Sequence, residues 1–259
     1  MIELERIAQS LIEAEDRRLP ILPPTETETN FDVTAAYRVQ TLVWQRRIAA
    51  GHTLVGHKVG LTNVAMQRQL GVDEPDYGRL HDGMAITGTV DLDELIQPRI
   101  EPEIAFVLAS DLEGPGVTTD AVLRATSGVA PALEIIDSRI EAWRISLPDT
   151  VADNASSARF AVGTPQPLDG LDLAALNATM AIDGEQVGAG TGEAVLGHPA
   201  AAVAWLANTL ANYGERLAAG EIVMPGAMCA SVPLKAGAVV VGTFERLGEV
   251  RVNVLGTAA

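Results

Sequence analysis

Three acidic residues in apolar surroundings are the strongest chemical signal in this chain. Glu101 and Glu103 lie two residues apart in the apolar stretch 99–108, and Glu134 lies inside a second apolar stretch, 130–137. Side chains of a strand alternate between its faces, so the first two carboxylates should share one face. Neighbouring carboxylates repel one another unless a proton or cation lies between them, and oxygen ligands suit Mg²⁺ or Mn²⁺. The pattern therefore predicts a metal site.

A plainer interpretation stays open for part of this pattern. Two glutamates at this spacing are also common on the solvated face of a strand. Glu134 fits that alternative less well, because an acid inside an apolar run is costly to bury without a partner. Pro102, between the two glutamates, cannot donate to a strand ladder and predicts an edge or a β-bulge there.

Other polar residues could serve such a site. Lys58, in an apolar predicted strand, is either a surface lysine or a buried cation that holds a carboxylate or transfers a proton, since burial lowers a lysine pKa. Asp76 is either a turn former or an acid that positions water or acts as a general base. Asp153, Asn154 and Ser157 offer hydrogen-bonding groups to a ligand, or bond only within their own polar loop.

Composition narrows the class of protein. The 259 residues are 47% hydrophobic and 20% charged, which is typical of a globular chain. A net charge of −16 argues against nucleic acid or an anionic membrane as a partner. The single cysteine excludes an internal disulfide and fits a reducing compartment. We find no apolar run near the ~20 residues needed to cross a bilayer, and expect a soluble, cytoplasmic protein.

Hydrophobic periodicity divides the chain into an N-terminal helical cap, residues 1–52, and a larger domain, residues 53–259. In the cap, the spacing predicts one helix ending near Arg18 and another from an Asp32 cap to Ala50, joined by an extended connector. The larger domain has more strands than helices and uses hairpins, such as the one at Asp183-Gly184, in place of βαβ units. This is an α+β pattern with a mixed sheet system.

The predicted elements of the larger domain follow in order. Strands are expected at 53–60, 99–109, 130–137, 178–182, 185–187, 221–225, 238–245 and 249–254. Helices are expected at 62–70, 119–127 and 199–213. Two segments, 71–78 and 149–157, are rich in turn-forming or polar residues and are predicted to lack regular structure.

Six stretches carry a resemblance to a known family. They are GHKVGLT (56–62), GVDEPDYG (71–78), QPRIEPEIAFVL (97–108), LEIIDSRI (133–140), DTVADNASS (149–157) and VLGHP (195–199). In this order, over nearly the whole chain, they resemble the 2-hydroxypenta-2,4-dienoate (2-oxopent-4-enoate) hydratases of aromatic and steroid ring-cleavage pathways. Those enzymes belong to the fumarylacetoacetase-like superfamily.

The resemblance implies a fumarylacetoacetase C-terminal-like mixed β-roll and assigns roles to eight residues. The implied ligands of Mg²⁺ or Mn²⁺ are Glu101, Glu103 and Glu134. The implied catalytic residues are Lys58 and Asp76. The implied substrate-side residues are Asp153, Asn154 and Ser157. The family usually has a small residue other than proline at position 102, so Pro102 is a departure. Homo-oligomers are usual in the family, and association with a neighbouring pathway enzyme is a further expectation.

The implied activity is that of a hydro-lyase. A small 2-hydroxy-dienoate would be ketonised and would then take up water, giving 4-hydroxy-2-oxopentanoate. The nearest alternative is the sister 4-oxalocrotonate decarboxylase, whose substrate carries a second carboxylate that Arg139 or Arg159 could bind. Another alternative is a non-catalytic partner that stabilises a different pathway enzyme.

Overall fold

The computed structural model describes residues 3–63, 67, 72 and 74–257. The predicted helix over 62–70 and the first half of the segment 71–78 therefore lie largely outside the described residues. Everything below concerns the described part of the chain.

The N-terminal region contains three helices: α1 Leu4–Arg17, α2 Pro24–Thr27 and α3 Val33–Ala49. The predicted cap of α3 is confirmed, because the Asp32 side chain accepts a hydrogen bond from the Ala35 amide at 2.8 Å. The connector predicted to be extended instead contains α2. Its first residue is Pro24, and proline suits a first helical position because its fixed φ is already helical.

Twelve strands occur within the described ranges. They are β1 Leu54–Gly60, β2 Asp76–His81, β3 Thr89–Asp91, β4 Arg99–Leu108, β5 Thr126–Ile136, β6 Ser157–Val162, β7 Asn177–Ile182, β8 Glu185–Thr191, β9 Ile222–Met224, β10 Val232–Pro233, β11 Val239–Phe244 and β12 Gly248–Leu255. The remaining α-helices are α4 Thr119–Ala125, α5 Leu147–Ala152 and α6 Pro199–Ala211.

The strands form two mixed sheets. The first has the order β2-β1-β9-β4-β5-β6, with β10 also paired to β4, and the second has the order β3-β12-β11-β7-β8. The β1–β9 and β3–β12 pairs are parallel and the other pairs antiparallel. One hydrophobic core contains buried side chains from both sheets and from α1, α3 and α6. The α+β architecture with mixed sheets is confirmed, and the boundary near residue 52 stays a prediction.

Two segments predicted to be irregular are partly regular. Residues 76–78 begin β2, because Gly60 and Lys58 of β1 pair with Asp76 and Gly78 across the sheet. The segment 149–157 overlaps α5, which starts where the Asp149 carboxylate accepts hydrogen bonds from the Ser146 amide and hydroxyl, at 2.9 and 2.6 Å. In both segments the turn-forming residues lie at the ends of regular elements, so their presence did not mean that the segment lacks a strand or helix.

One apolar stretch is longer than we expected. Gly192–Ala211 matches a membrane-spanning helix in length and hydropathy, contrary to the expectation that no run approaches that size. In the structure α6 occupies only 13 of these residues. At ~1.5 Å per residue it is shorter than the ~30 Å hydrocarbon core. Eight of its residues are buried against the protein interior, as in a core helix.

Candidate active site

The pairing of β4 with β5 brings the three glutamates together. Glu101 lies directly opposite Glu134 in the register, and Glu103 follows on the same face of β4. One carboxylate oxygen from each lies within 4.8 Å of the others. Glu103 and Glu134 are both 0% exposed, whereas Glu101 is partly exposed. The alternative that Glu101 and Glu103 stand on a solvated strand face is therefore wrong for Glu103, and Glu101 is exposed only in part.

Several of these carboxylate oxygens lack hydrogen-bond partners among the described residues. Glu103 Oε2 accepts a hydrogen bond from the Gly226 amide at 2.8 Å, but Glu103 Oε1 and both oxygens of Glu134 have none. Buried polar atoms are seldom left unpaired, because each costs free energy comparable to a lost hydrogen bond. A cluster of three carboxylates whose oxygens lack hydrogen bonds fits a hard divalent cation, which prefers oxygen ligands.

Burial and mutual repulsion both disfavour ionisation of this cluster. Burial, followed by the charge of Glu134, raises the pKa of Glu101 to about 7. The same two causes raise the pKa of Glu103 well above its ordinary value. A proton or a cation must therefore offset the negative charge near neutral pH.

Lys58 supplies part of that positive charge. Its ammonium lies 3.5 Å from Glu134 Oε2 and donates to the carbonyl oxygen of Ala155 at 3.0 Å. Burial by itself would lower the pKa of Lys58, but the carboxylates of Glu134 and Asp76 outweigh burial and raise it. The alternative of a surface lysine is therefore wrong, and Lys58 is a buried cation that contacts a carboxylate.

Asp76 lies beside Lys58 at the start of β2. Its Oδ2 accepts a hydrogen bond from the Thr150 hydroxyl at 3.1 Å, and its Oδ1 has no partner among the described residues. Burial raises the pKa of Asp76 even though Lys58 acts in the opposite direction. Gly60 makes this arrangement possible, because a Cβ there would collide with Asp76 Oδ1 and lie 3.3 Å from the Lys58 nitrogen.

A left-handed turn presents the Ala155 carbonyl to Lys58. Asn154, Ala155 and Ser156 have φ values of 56°, 50° and 54°, a conformation that costs roughly 1–2 kcal/mol for each L-residue. The Asn154 side chain holds the turn against β2, accepting from the Arg79 amide at 2.8 Å and donating to the Arg79 carbonyl at 2.9 Å.

The three predicted substrate-side residues have different surroundings. The Asp153 carboxylate accepts hydrogen bonds from Arg139 Nε at 2.5 Å and the Ser138 hydroxyl at 3.1 Å, in a buried ion pair. Asn154 bonds to the backbone of β2, as described above. The Ser157 hydroxyl, in contrast, is buried with no partner among the described residues, as is that of Ser156. The substrate-binding roles of the predicted three stay predictions.

Pro102 lies in a gap between neighbouring strands. The β4–β5 register continues past it without a shift, so there is no bulge at this residue. On the other side of β4, β10 pairs only with residues 99 and 100, and β9 only with 106 and 107. Pro102 thus has the position of an edge residue, where its missing N–H costs little.

Sequence reasoning did not identify three groups that contact the site. They are the Thr150 hydroxyl, the Gly226 amide and the Ala155 carbonyl. Thr150 belongs to the polar segment 149–157, which could have drawn attention to it. The two backbone groups have no signal in sequence, since every residue carries them.

Comparison with known proteins places this geometry in context. A 2-keto-4-pentenoate hydratase of Paraburkholderia xenovorans (strain LB400) is 45% identical over 250 residues, 95% of this chain and 93% of that protein. A 4-oxalocrotonate decarboxylase of Pseudomonas sp. (strain CF600) is also 45% identical, over 219 residues and 83% of each chain. Identity alone therefore does not separate the two activities.

A solved structure and a family model agree with these relatives. The 4-oxalocrotonate decarboxylase from Pseudomonas putida G7, complexed with magnesium and adipate, superposes with a TM-score of 0.93 at 39% identity, over 98% of this chain and 97% of that one. The fumarylacetoacetate (FAA) hydrolase C-terminal model matches residues 80–255. The chain belongs to the FAA hydrolase C-terminal family.

Proposed function

We propose that this protein is a metal-dependent hydratase that adds water to 2-hydroxypenta-2,4-dienoate and gives 4-hydroxy-2-oxopentanoate. The observation that carries the proposal is the carboxylate cluster of Glu101, Glu103 and Glu134. Lys58 lies beside it, and three of its oxygens accept no hydrogen bond from the described residues. The relatives named 2-keto-4-pentenoate hydratase and 2-hydroxypent-2,4-dienoate hydratase support the choice of substrate. The expected homo-oligomer, the association with another enzyme and the cytoplasmic location stay predictions.

The three glutamates would hold Mg²⁺ or Mn²⁺. When bound there, the cation would supply positive charge for the carboxylate and the 2-oxygen of the substrate. The donor set fits, since all three ligands are carboxylates and such hard oxygen ligands suit these two ions.

The chain's own residues would handle protons and charge. Lys58 remains cationic and would stabilise negative charge that develops on the substrate as the dienol is ketonised. Asp76, whose pKa is raised by burial and whose Oδ1 has no hydrogen-bond partner among the described residues, would exchange a proton with the water that adds at C4. Ser157 would offer its free hydroxyl to the substrate.

Decarboxylation of 4-oxalocrotonate is the second candidate, and the positions of the arginines bear on it. Arg139 is committed to Asp153, and Arg159 lies 3.2 Å from Glu94. Arg159 also projects from the opposite face of the sheet to Glu134, because it pairs with the residue after Glu134. Neither arginine is well placed to bind a second carboxylate.

A different arginine keeps the second candidate open. Arg99 lies two residues before Glu101, on the same face of β4, and its positive charge acts on the Glu101 carboxyl. Its guanidinium donates to the hydroxyl and carbonyl of Ser231 at 2.9 and 2.6 Å. A dicarboxylate could bind only by displacing these contacts or sharing the guanidinium.

The test is an assay of the purified protein with fresh 2-hydroxypenta-2,4-dienoate and Mg²⁺, Mn²⁺ or excess EDTA. We expect metal-dependent loss of the dienol absorbance and formation of 4-hydroxy-2-oxopentanoate, identified by mass spectrometry. Glu103→Gln keeps the shape of the side chain but removes a ligand charge, and should lower kcat/KM by at least about tenfold, since even outer-shell partners of a metal contribute that much.

The control is Glu113→Gln, at an exposed acid outside the site, which should retain wild-type turnover. Release of CO₂ from 2-oxohex-3-enedioate without turnover of the dienoate would transfer the assignment to the decarboxylase. Metal binding with no turnover of either substrate would favour the non-catalytic partner.

A further inference from the structure

A second group of metal-type ligands lies at the far end of the β1–β2 pair. His52 lies between α3 and β1, His81 is the last residue of β2, and Asp82 begins the following turn. They meet because Leu54 of β1 pairs with His81 of β2. His52 Nδ1, His81 Nδ1 and a carboxylate oxygen of Asp82 all lie within 4.8 Å of one another. We call these three residues the histidine cluster.

The spacing of the histidine cluster suits a small ion. His52 Nδ1 lies 3.0 Å from Asp82 Oδ1, and His81 Nδ1 lies 3.9 Å from the same oxygen. Zinc-to-ligand bonds of about 2.0–2.2 Å in a tetrahedron place ligand atoms about 3.3–3.6 Å apart. The two observed distances lie on either side of this range, so small side-chain rotations would bring both contacts with Asp82 into it.

Gly83 leaves the space between the ligands open. A Cβ at this residue would lie 3.1 Å from His52 Nδ1 and 3.2 Å from His81 Nδ1. Both nitrogen atoms therefore border one small volume that any other residue would fill. The imidazole rings are tilted by 42° with their centres 4.2 Å apart, so both can direct Nδ1 toward that volume.

One ring nitrogen of the histidine cluster is available to a ligand. His81 Nδ1 is buried without a hydrogen-bond partner among the described residues. A buried polar atom without a partner costs free energy, and a cation bound at this nitrogen would remove that cost. An ion between His52 and Asp82 would take the place of the present 3.0 Å contact between His52 Nδ1 and Asp82 Oδ1.

Nearby charges do not oppose a cation. Arg47 acts on His81, but its guanidinium lies 2.5 Å from the Glu15 carboxylate, so the two form an ion pair of nearly zero net charge. Asp82 remains partly exposed, which leaves a path for the ion from solvent and room for a water molecule as the fourth ligand.

We propose that His52, His81 and Asp82 form a second cation site, distinct from the three glutamates, that takes a transition-metal ion of the Zn²⁺, Co²⁺ or Ni²⁺ class. Imidazole nitrogen suits these ions, whereas the all-carboxylate set suits Mg²⁺ or Mn²⁺. We therefore expect Zn²⁺, Co²⁺ or Ni²⁺ at the histidine cluster and Mg²⁺ or Mn²⁺ at the three glutamates. A bound ion would join the end of α3 to the β1–β2 pair and stabilise the folded chain by mass action.

The experiment uses the full chain without a polyhistidine tag and with Glu101→Gln and Glu103→Gln to disable the glutamate cluster. Co²⁺ and Zn²⁺ are titrated in excess Mg²⁺, with visible absorption and calorimetry as readouts. We expect one ion per chain and the intense visible bands of four-coordinate Co²⁺. His81→Gln should weaken binding at least about tenfold, since even outer-shell partners of a metal contribute that much.

Two further measurements make the result decisive. His198→Gln, at a histidine that only caps α6, should leave the affinity unchanged. Electron paramagnetic resonance of Cu²⁺ bound to the otherwise intact chain should show two coupled imidazole nitrogens, independently of whether a histidine variant folds. Equal Zn²⁺ affinity in His81→Gln, or Cu²⁺ coupled to fewer than two imidazoles, would overturn the proposal. No readout depends on catalysis, so the proposed hydratase activity can fail or succeed separately.

Discussion

At the scale of single residues, charge balance decides the character of the site. Burial lowers the pKa of Lys58, but the charges of the surrounding carboxylates, Glu134 and Asp76 foremost, outweigh burial and raise it. The same lysine surrounded by apolar side chains would lose its proton far more easily. The residue type alone therefore allows either a charged or a neutral lysine, and the neighbouring carboxylates favour the charged form.

Asn154 provides a test of positioning against substrate binding. Asn154→Ala removes two hydrogen bonds to the backbone of Arg79 and should lower the free energy of unfolding by about 2 kcal/mol. The left-handed turn would relax and withdraw the Ala155 carbonyl from Lys58, so kcat should fall with little change in KM. Urea unfolding and steady-state kinetics measure both effects.

The control for this substitution is Asn212→Ala, at an exposed asparagine after α6, which should change neither quantity. A large rise in KM with unchanged kcat and stability would instead assign Asn154 to the substrate, as the family resemblance implies.

At the scale of elements, helix α3 of the N-terminal region contacts the elements that carry part of the site. Gln40 of α3 is 1% exposed and donates to the carbonyls of Tyr77 in β2 and Val151 in α5, at 2.8 and 3.0 Å. Its amide oxygen accepts from Arg79 at 2.8 Å. A single side chain thus joins three elements, two of which carry Asp76 and its partner Thr150.

Gln40→Ala should therefore destabilise the fold and the site together. It leaves two carbonyls and one guanidinium N–H buried without this partner, and we expect a loss of about 3 kcal/mol in the free energy of unfolding. Gln45→Ala, at an exposed position of the same helix, is the matched control for helix propensity. Similar urea midpoints for the two variants would contradict the supporting role of Gln40.

At the scale of the whole molecule, the buried acids couple stability to pH. Burial and the charge of Glu134 raise the pKa of Glu101 from an ordinary 4.5 to about 7 on folding, and they also raise the pKa of Glu103 well above 4.5. Between these values the folded chain binds more protons than the unfolded chain. The free energy of unfolding therefore decreases as the pH rises through this window.

Thermal unfolding in EDTA should show this dependence directly, with the Tm falling as the pH rises from about 5 to about 8. Saturating Mg²⁺ should reduce the fall, because a bound cation replaces the protons. In the double variant Glu101→Gln/Glu103→Gln, the Tm should fall less steeply with pH than in the wild-type protein. Other buried acids, such as Asp153, contribute equally to the pH dependence of both proteins. Identical slopes with and without the substitutions would refute the assignment of the pH effect to this cluster.

Local patterns in the sequence were enough to determine most elements and their faces. Alternation along β4 predicted that Glu101 and Glu103 share a face, because a strand has a side-chain period of two. The Asp32 cap and the Asp183-Gly184 hairpin depend on neighbouring residues only, and both are confirmed. The motifs also sufficed for the family, since they depend on the order of residues along the chain.

Only the tertiary structure decided how these pieces work together. The register of β4 against β5 places Glu134 opposite Glu101, and folding of the distant β1 brings Lys58 to the same point. The left-handed turn at residues 154–156 and the ion pair of Asp153 with Arg139 were not predictable from local patterns. Each depends on contacts between residues far apart in the chain, and these contacts supply the free energy that overrides local preference and sets the charge state of the buried groups.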